Sequence, residues 1–142
     1  MALVYFDSSA FVKLLVEETG SNLAVELWDG CDAAVSSRLA YPEVRAALAA
    51  AFRNHALDAR QHSAARQAWE AYWAATRPVE LTQAVERHAG QLARDHALRG
   101  ADAVHLASAL AIGDAELIVA AWDLRLHAGV RAVGLGVAPS RL

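Results

Sequence analysis

The apolar positions of this chain change period several times along its length. Leu3-Val4-Tyr5-Phe6 is a continuous apolar run, β-branched and aromatic, that stops at Asp7, and its length predicts a buried strand. Ser8 or Ser9 is a fitting N-cap for the apolar stretch Ala10 to Leu15, which Glu18-Thr19-Gly20 closes with a glycine stop. Ser21 to Asp29 carries Leu23, Leu27 and Trp28 at helical spacing, and Ala33 to Ser36 is a weaker strand candidate. From Arg38 to His55 the apolar residues Tyr41, Val44, Leu48 and Phe52 recur at threes and fours, a long helix with Pro42 in its first turn. Asp58 to Arg77 is another helix with a bulky stripe of Trp69, Tyr72 and Trp73. Pro78 breaks it, and Val79-Glu80-Leu81 is a short strand. Thr82 caps a helix to Leu98, Gly100 interrupts, and Ala101 to Ile112 is a further helix stopped by Gly113. Leu117 to Ala121 is a strand with Asp123 two residues beyond it, followed by a short helix and a last strand over Ala132 to Leu135.

Strands alternating with helices call for an α/β fold, a mostly parallel central sheet with helices on both faces. Its 142 residues fit one domain, with no repeats or linkers to divide it. Alanine supplies roughly a quarter of the chain and inflates the apolar content, but it also favours helix. The single cysteine, Cys31, excludes a disulfide framework and any cysteine-rich zinc module. A net charge of −3 argues against a protein that coats nucleic acid nonspecifically. No apolar run approaches the length of a membrane span and no basic start suggests a signal peptide. The expectation is a cytoplasmic protein without a membrane partner.

Four acids stand apart from the rest. In open parallel sheets the ligand crevice lies beyond the carboxyl ends of the strands, which is where Asp7 and Asp123 fall. Glu43 sits beside the buried stripe of its helix, and Asp102 opens a helix that is almost wholly apolar. Each acid taken singly has an ordinary explanation as a helix cap or a surface ion-pair partner. Together they suit a hard divalent cation, because magnesium and manganese take oxygen ligands. Without one the cluster is unfavourable, since two charges 4 Å apart repel by about 4 kcal/mol at an effective dielectric of 20.

Those residues carry a resemblance. Asp7-Ser8-Ser9-Ala10-Phe11-Val12-Lys13-Leu14 is similar to the opening motif of PIN-domain ribonucleases, above all the VapC-type toxins of bacterial toxin–antitoxin pairs. Ala40-Tyr41-Pro42-Glu43-Val44-Arg45-Ala46-Ala47-Leu48 resembles the second motif, and the run from Leu98 through Asp102 and His105 to Ala109 resembles the third. Val119-Ala120-Ala121-Trp122-Asp123-Leu124-Arg125-Leu126 meets the fourth, although Ala121 stands where the family commonly has threonine or serine. Ser9 or Ser36 is a candidate to supply that hydroxyl instead.

The resemblance implies a PIN-like three-layer sandwich and an endoribonuclease using Mg2+ or Mn2+ held by Asp7, Glu43, Asp102 and Asp123 as catalytic and metal-binding residues. It implies an RNA substrate such as tRNA or ribosomal RNA, homodimerisation, and a cognate small antitoxin. A PIN-like binding module impaired in catalysis, holding protein or RNA partners, is the alternative, and Ala121 is its support. Phosphoryl-transfer domains with a nucleophilic Asp7 fit poorly. Ser9 stands where one class needs a second aspartate, and the only lysine, Lys13, is far from the late strand another class requires.

Among the basic residues, Lys13, Arg45 and Arg99 flank the acids and, with Ser9, are the candidates to contact RNA phosphates; Arg38 and Arg125 are further possibilities. The histidines lack zinc-site spacing. His105, one turn after Asp102, is the exception, and it suits a supporting role better than a catalytic one. Trp69, Tyr72 and Trp73 suit packing better than base stacking.

Overall fold

Alternation along the first strand sets the two faces of the molecule. The computed structural model describes residues 1–142. In β1 (Leu3–Phe6), Val4 and Phe6 point into one apolar core and Tyr5 into the other. The chain continues through α1 (Ser8–Leu15), α2 (Ser21–Gly30), β2 (Ala33–Ser37), α3 (Ala40–Arg53), α4 (Ala59–Ala74), β3 (Arg77–Val79) and α5 (Gln83–His96). It ends with α6 (Gly100–Ala111), β4 (Ile118–Ala120), α7 (Leu124–Ala132) and β5 (Gly136–Ala138).

The five strands form one sheet in the order β3-β2-β1-β4-β5, and every pairing is parallel. β1 is central: Val4 lies opposite Ala34 on β2 and Ile118 on β4. Helices α1 to α4 pack on the Val4–Phe6 face and α5 to α7 on the Tyr5 face, which gives the α/β sandwich its three layers. Aromatic packing organises the first core. Trp69 is fully buried edge-on to Phe11, with ring centroids 4.8 Å apart, and Tyr41 stacks on it at 5.9 Å. The stripe on α4 is therefore core, as its spacing suggests.

Several boundaries differ from the sequence expectation. Asp7, not Ser8 or Ser9, caps α1, its carboxylate accepting from the Ala10 amide at 2.9 Å. Gly20 does not stop α1, which ends at Leu15. It precedes α2 instead, with φ at +95°. Pro78 lies within β3 rather than ahead of it, which is tolerated because β3 is a sheet edge and no further strand needs its missing N–H. Ala97, in the left-handed region, ends α5 before Gly100 opens α6. The last strand begins at Gly136, because α7 runs on through Ala132 and Gly134 turns the chain with φ at +82°.

The α1–α2 corner approaches the segment after β4 closely. A Cβ on Gly20 would stand 2.7 Å from the Trp122 indole nitrogen, and the positive φ disfavours any side chain there. Gly20→Ala should therefore destabilise the protein by about 1–3 kcal/mol. Urea denaturation should show a lower midpoint with an unchanged slope. A midpoint equal to that of the wild type would mean that the corner relaxes freely.

Candidate active site

Parallel strands deliver their carboxyl ends to one edge, and the acids collect there. The Asp7 amide donates to the Ala120 carbonyl at 3.2 Å, which continues the β1–β4 ladder to the carboxylate-bearing residue itself. Asp123 follows β4 and caps α7, accepting from the Arg125 and Leu126 amides at 3.0 Å. Glu43 and Asp102 lie in the first turns of α3 and α6, where helix amides and the macrodipole favour negative charge.

Each acid has a partner. Ser9 Oγ donates to Asp7 Oδ1 at 2.6 Å and accepts from the Trp122 amide at 2.9 Å, so one hydroxyl ties the Asp7 turn to the segment carrying Asp123. Ser36 is not that hydroxyl; it donates to the Phe6 carbonyl. Arg99 bridges the other two aspartates, with Nε 3.2 Å from Asp102 and Nη2 3.0 Å from Asp123. Glu43 Oε1 accepts from Ser8 Oγ at 2.5 Å and lies 2.6 Å from His105 Nε2. On its other side His105 Nδ1 lies 2.7 Å from the Tyr5 hydroxyl, which accepts from the Ser37 amide at 3.1 Å.

The electrostatics follow from this arrangement. Burial pushes the Asp7 carboxyl up to about 6, against the pull of His105 and of its hydrogen bonds from Ser9 and Ala10, and Asp123 adds repulsion. Asp102 is also raised, by burial and then by the charge of Asp123, although Arg99 opposes both. For Glu43 burial is again the largest influence and acts upward, but the hydrogen bonds of His105 and Ser8 outweigh it and the net shift is downward. Burial holds the Tyr5 hydroxyl well above its usual range, so it stays protonated.

Of the basic candidates only Arg99 meets the acids. Lys13 pairs with Glu18 at 3.0 Å and lies over the Trp122 ring, 5.4 Å from its centroid. Arg45 turns to the Tyr41 hydroxyl and Glu70, and Arg38 to Glu80, so neither pairs with Glu43. Tyr5 and Ser8, which complete the support of Glu43, were not legible as site residues. The available signal was a tyrosine on the opposite face of β1 from its apolar neighbours and a histidine on an otherwise apolar helix.

As the side chains stand, no three His, Cys, Asp or Glu residues are spaced to hold a metal ion. The donor set nevertheless fits a hard divalent cation: all four acids offer oxygen, Asp7 and Asp102 each feel Asp123, and a guanidinium stands between two of the carboxylates as an internal cation.

Comparison with known proteins gives the family. A family model described as the PIN domain matches residues 4–129. The chain is 71% identical over 142 residues to Ribonuclease VapC49 of Mycobacterium tuberculosis strain H37Rv, covering 100% of this chain and 99% of that protein. Among solved structures it resembles Mycobacterium tuberculosis VapC20, a sarcin–ricin loop cleaving toxin, with TM-score 0.70, 19% identity and coverage of 93% and 95% of the two chains. It also resembles a toxin–antitoxin complex from Klebsiella pneumoniae, with TM-score 0.66, 20% identity and full coverage of both chains.

Asp7 thus combines a helix cap with a buried charge, and substitution separates the two. A carboxyl whose pKa rises from its ordinary 3.8 to about 6 on folding carries no burial penalty below pH 4 and the full penalty above pH 6. The stability of the metal-free protein should fall as pH rises through that window, by an amount on the order of 3 kcal/mol from this group. Asp7→Asn keeps the cap and removes the charge. In EDTA at pH 7.5 it should melt at or above the wild type, with the difference shrinking toward pH 4. Asp7→Ala also loses the cap, worth about 1 kcal/mol, and should melt about 2–4 °C below Asp7→Asn. An asparagine variant that melts lower at every pH would make the charge itself structural.

Proposed function

This chain belongs to the PIN-domain family, among the VapC ribonucleases, and on that premise we propose that it is a divalent-metal-dependent endoribonuclease, the toxin of a toxin–antitoxin pair. The observation that carries the proposal is the meeting of Asp7, Asp102 and Asp123 at the carboxyl edge of the sheet, with Arg99 holding the place of a cation. Mg2+ or Mn2+ is the cofactor this donor set suits, with Asp7, Glu43, Asp102 and Asp123 as the ligands. Bound there, the ion would supply an activated water and charge neutralisation at the phosphodiester oxygens.

The chain's own residues prepare that chemistry. Ser9 fixes the orientation of the Asp7 carboxylate, and Ser8 and His105 occupy one oxygen of Glu43. Arg99 is 63% exposed at its side chain, so it is free to leave the aspartates and meet an RNA phosphate when another cation replaces it. Lys13, paired with Glu18, and Arg45, paired with Glu70, would meet flanking phosphates. Burial pushes the Cys31 thiol up, and Ser8, although 3.4 Å from His105 Nε2, donates to Glu43 at 2.5 Å, so water is the natural nucleophile.

Structured RNA, tRNA or ribosomal RNA, is the substrate class we favour. An antitoxin fits the same geometry. The aspartates accept one guanidinium fork from within the chain, and an inhibitor's arginine would be received in the same way. A binding module without catalysis is the weaker reading, because the buried charges of Asp7 and Asp102 disfavour folding and serve no structural need that a neutral group could not meet.

Purified protein should cleave structured RNA with Mg2+ or Mn2+ and not in EDTA. Asp102→Asn, at a half-buried helix start, should fold and lose the rate by several orders of magnitude. Mg2+ at 100 times its dissociation constant should stabilise the wild type by about 2.7 kcal/mol. That corresponds to a rise of about 5–10 °C in melting temperature, and Asp102→Asn should gain much less. Undiminished metal-dependent cleavage by the folded variant would overturn the assignment.

A further inference from the structure

The hydrogen bonds behind Glu43 form a directed chain whose sense is fixed by its buried end. The Ser37 amide can only donate, so it spends one lone pair of the Tyr5 oxygen. Tyr5 is fully buried, and although the Ser36 and Ser108 hydroxyls are also near its oxygen, His105 Nδ1, at 2.7 Å, is the acceptor placed with hydrogen-bond geometry for its proton. An Nδ1 that accepts carries no proton, and the Glu43 carboxylate facing Nε2 can only accept, so the ring N–H stands on Nε2. Nε2 then donates to Glu43 Oε1, which also accepts from Ser8. His105 is itself buried, on a helix whose neighbouring residues pack in the core, so the ring cannot turn away to other partners. Oε1 therefore holds two donors and Oε2 none, on a side chain 29% exposed.

We propose that His105 is a positioning residue whose tautomer, set by Tyr5, fixes Glu43 so that it offers a single oxygen, Oε2, to the metal site. The inference rests on the assignment of Glu43 as a metal ligand made above. It adds that the ligand is monodentate and that its orientation originates in the sheet interior, at a backbone amide of β2. A buried histidine serving only as packing would be replaceable by an apolar side chain of similar size. A positioning histidine would not, but an amide that keeps a donor at the Nε2 position would partly replace it.

Two measurements test this. In metal-free wild-type protein, long-range proton–nitrogen correlation spectra should show His105 as the Nε2–H tautomer, and in Tyr5→Phe that signature should weaken or disappear. Mn2+ binding, followed by electron paramagnetic resonance, should weaken about 10–100-fold in His105→Leu and recover at least partly in His105→Gln. Cleavage should show the same order through kcat, with KM for RNA unchanged within about twofold. Thermal melts of each variant confirm that it is folded, and if His105→Leu does not fold, Tyr5→Phe against His105→Gln carries the comparison. A wild type that binds no Mn2+ would remove the metal assignment itself. A wild type that binds it, beside a folded His105→Leu or Tyr5→Phe that binds equally well, would overturn the positioning role and leave the metal assignment standing. An Nδ1–H tautomer in the wild type would overturn it as well.

Discussion

Carboxylates cannot be gathered at one sheet edge without something to hold their charge, and much of this structure answers that constraint. Two of the four acids, Asp7 and Asp102, have their protonation pushed upward by burial and by Asp123. The fold offsets the cost with means available inside one chain. Helix N-termini face Asp7, Asp123, Glu43 and Asp102, hydroxyls serve Asp7 and Glu43, and one guanidinium spans the remaining pair. None of these partners is as strong as a divalent ion at the same point would be, and that leaves the cluster receptive to one.

The parallel sheet makes the gathering possible. With β1 in the centre and β4 beside it, Asp7 and Asp123 leave adjacent strand ends in the same direction. The same centrality gives Tyr5 its role. One residue before Asp7 on the strand, Phe6 fills the aromatic core under α1 to α4. Tyr5 points the other way and reaches His105 on α6. The alternation of a single strand thus serves a hydrophobic core on one face and a polar relay on the other.

How much of this was legible follows from which interactions are local. The strand at Leu3–Phe6, the helix around Val44 and Leu48, and the core assignment of Trp69 rest on periodicity, and the structure has them. The four acids stand out in the sequence because strand ends and apolar helices mark them against a solvated background, and the structure places them at strand ends and in first helical turns. Misplaced boundaries have tertiary causes: Pro78 is accepted because β3 has no outer neighbour, and Gly20 stands at a corner fitted to Trp122, a residue a hundred positions away. The partners of the acids were the least legible part. Arg45 is two residues from Glu43 in sequence yet pairs with Glu70, whereas Glu43 meets Ser8 and His105, the latter sixty-two residues away. Neighbourhood along a chain is a poor guide to long, charged side chains that choose among partners across helices.

Ala121 shows how a departure from a family pattern can be absorbed. Its side chain is fully buried in the core beneath α5 to α7, and its amide is taken by the Ala138 carbonyl at 3.0 Å, so the residue is tied into the sheet and packed among apolar neighbours. A hydroxyl is nonetheless present between the two strand ends, delivered from the other side. Ser9, the second residue of α1, accepts from the Trp122 amide and donates its hydroxyl hydrogen bond to Asp7. This pair of bonds couples the position of the Asp123 segment to the orientation of Asp7 across 113 residues of sequence. A threonine at position 121 would act on one acid's own loop. Ser9 acts on two loops at once, and it can do so because Asp7 both ends a strand and caps the helix on which Ser9 stands.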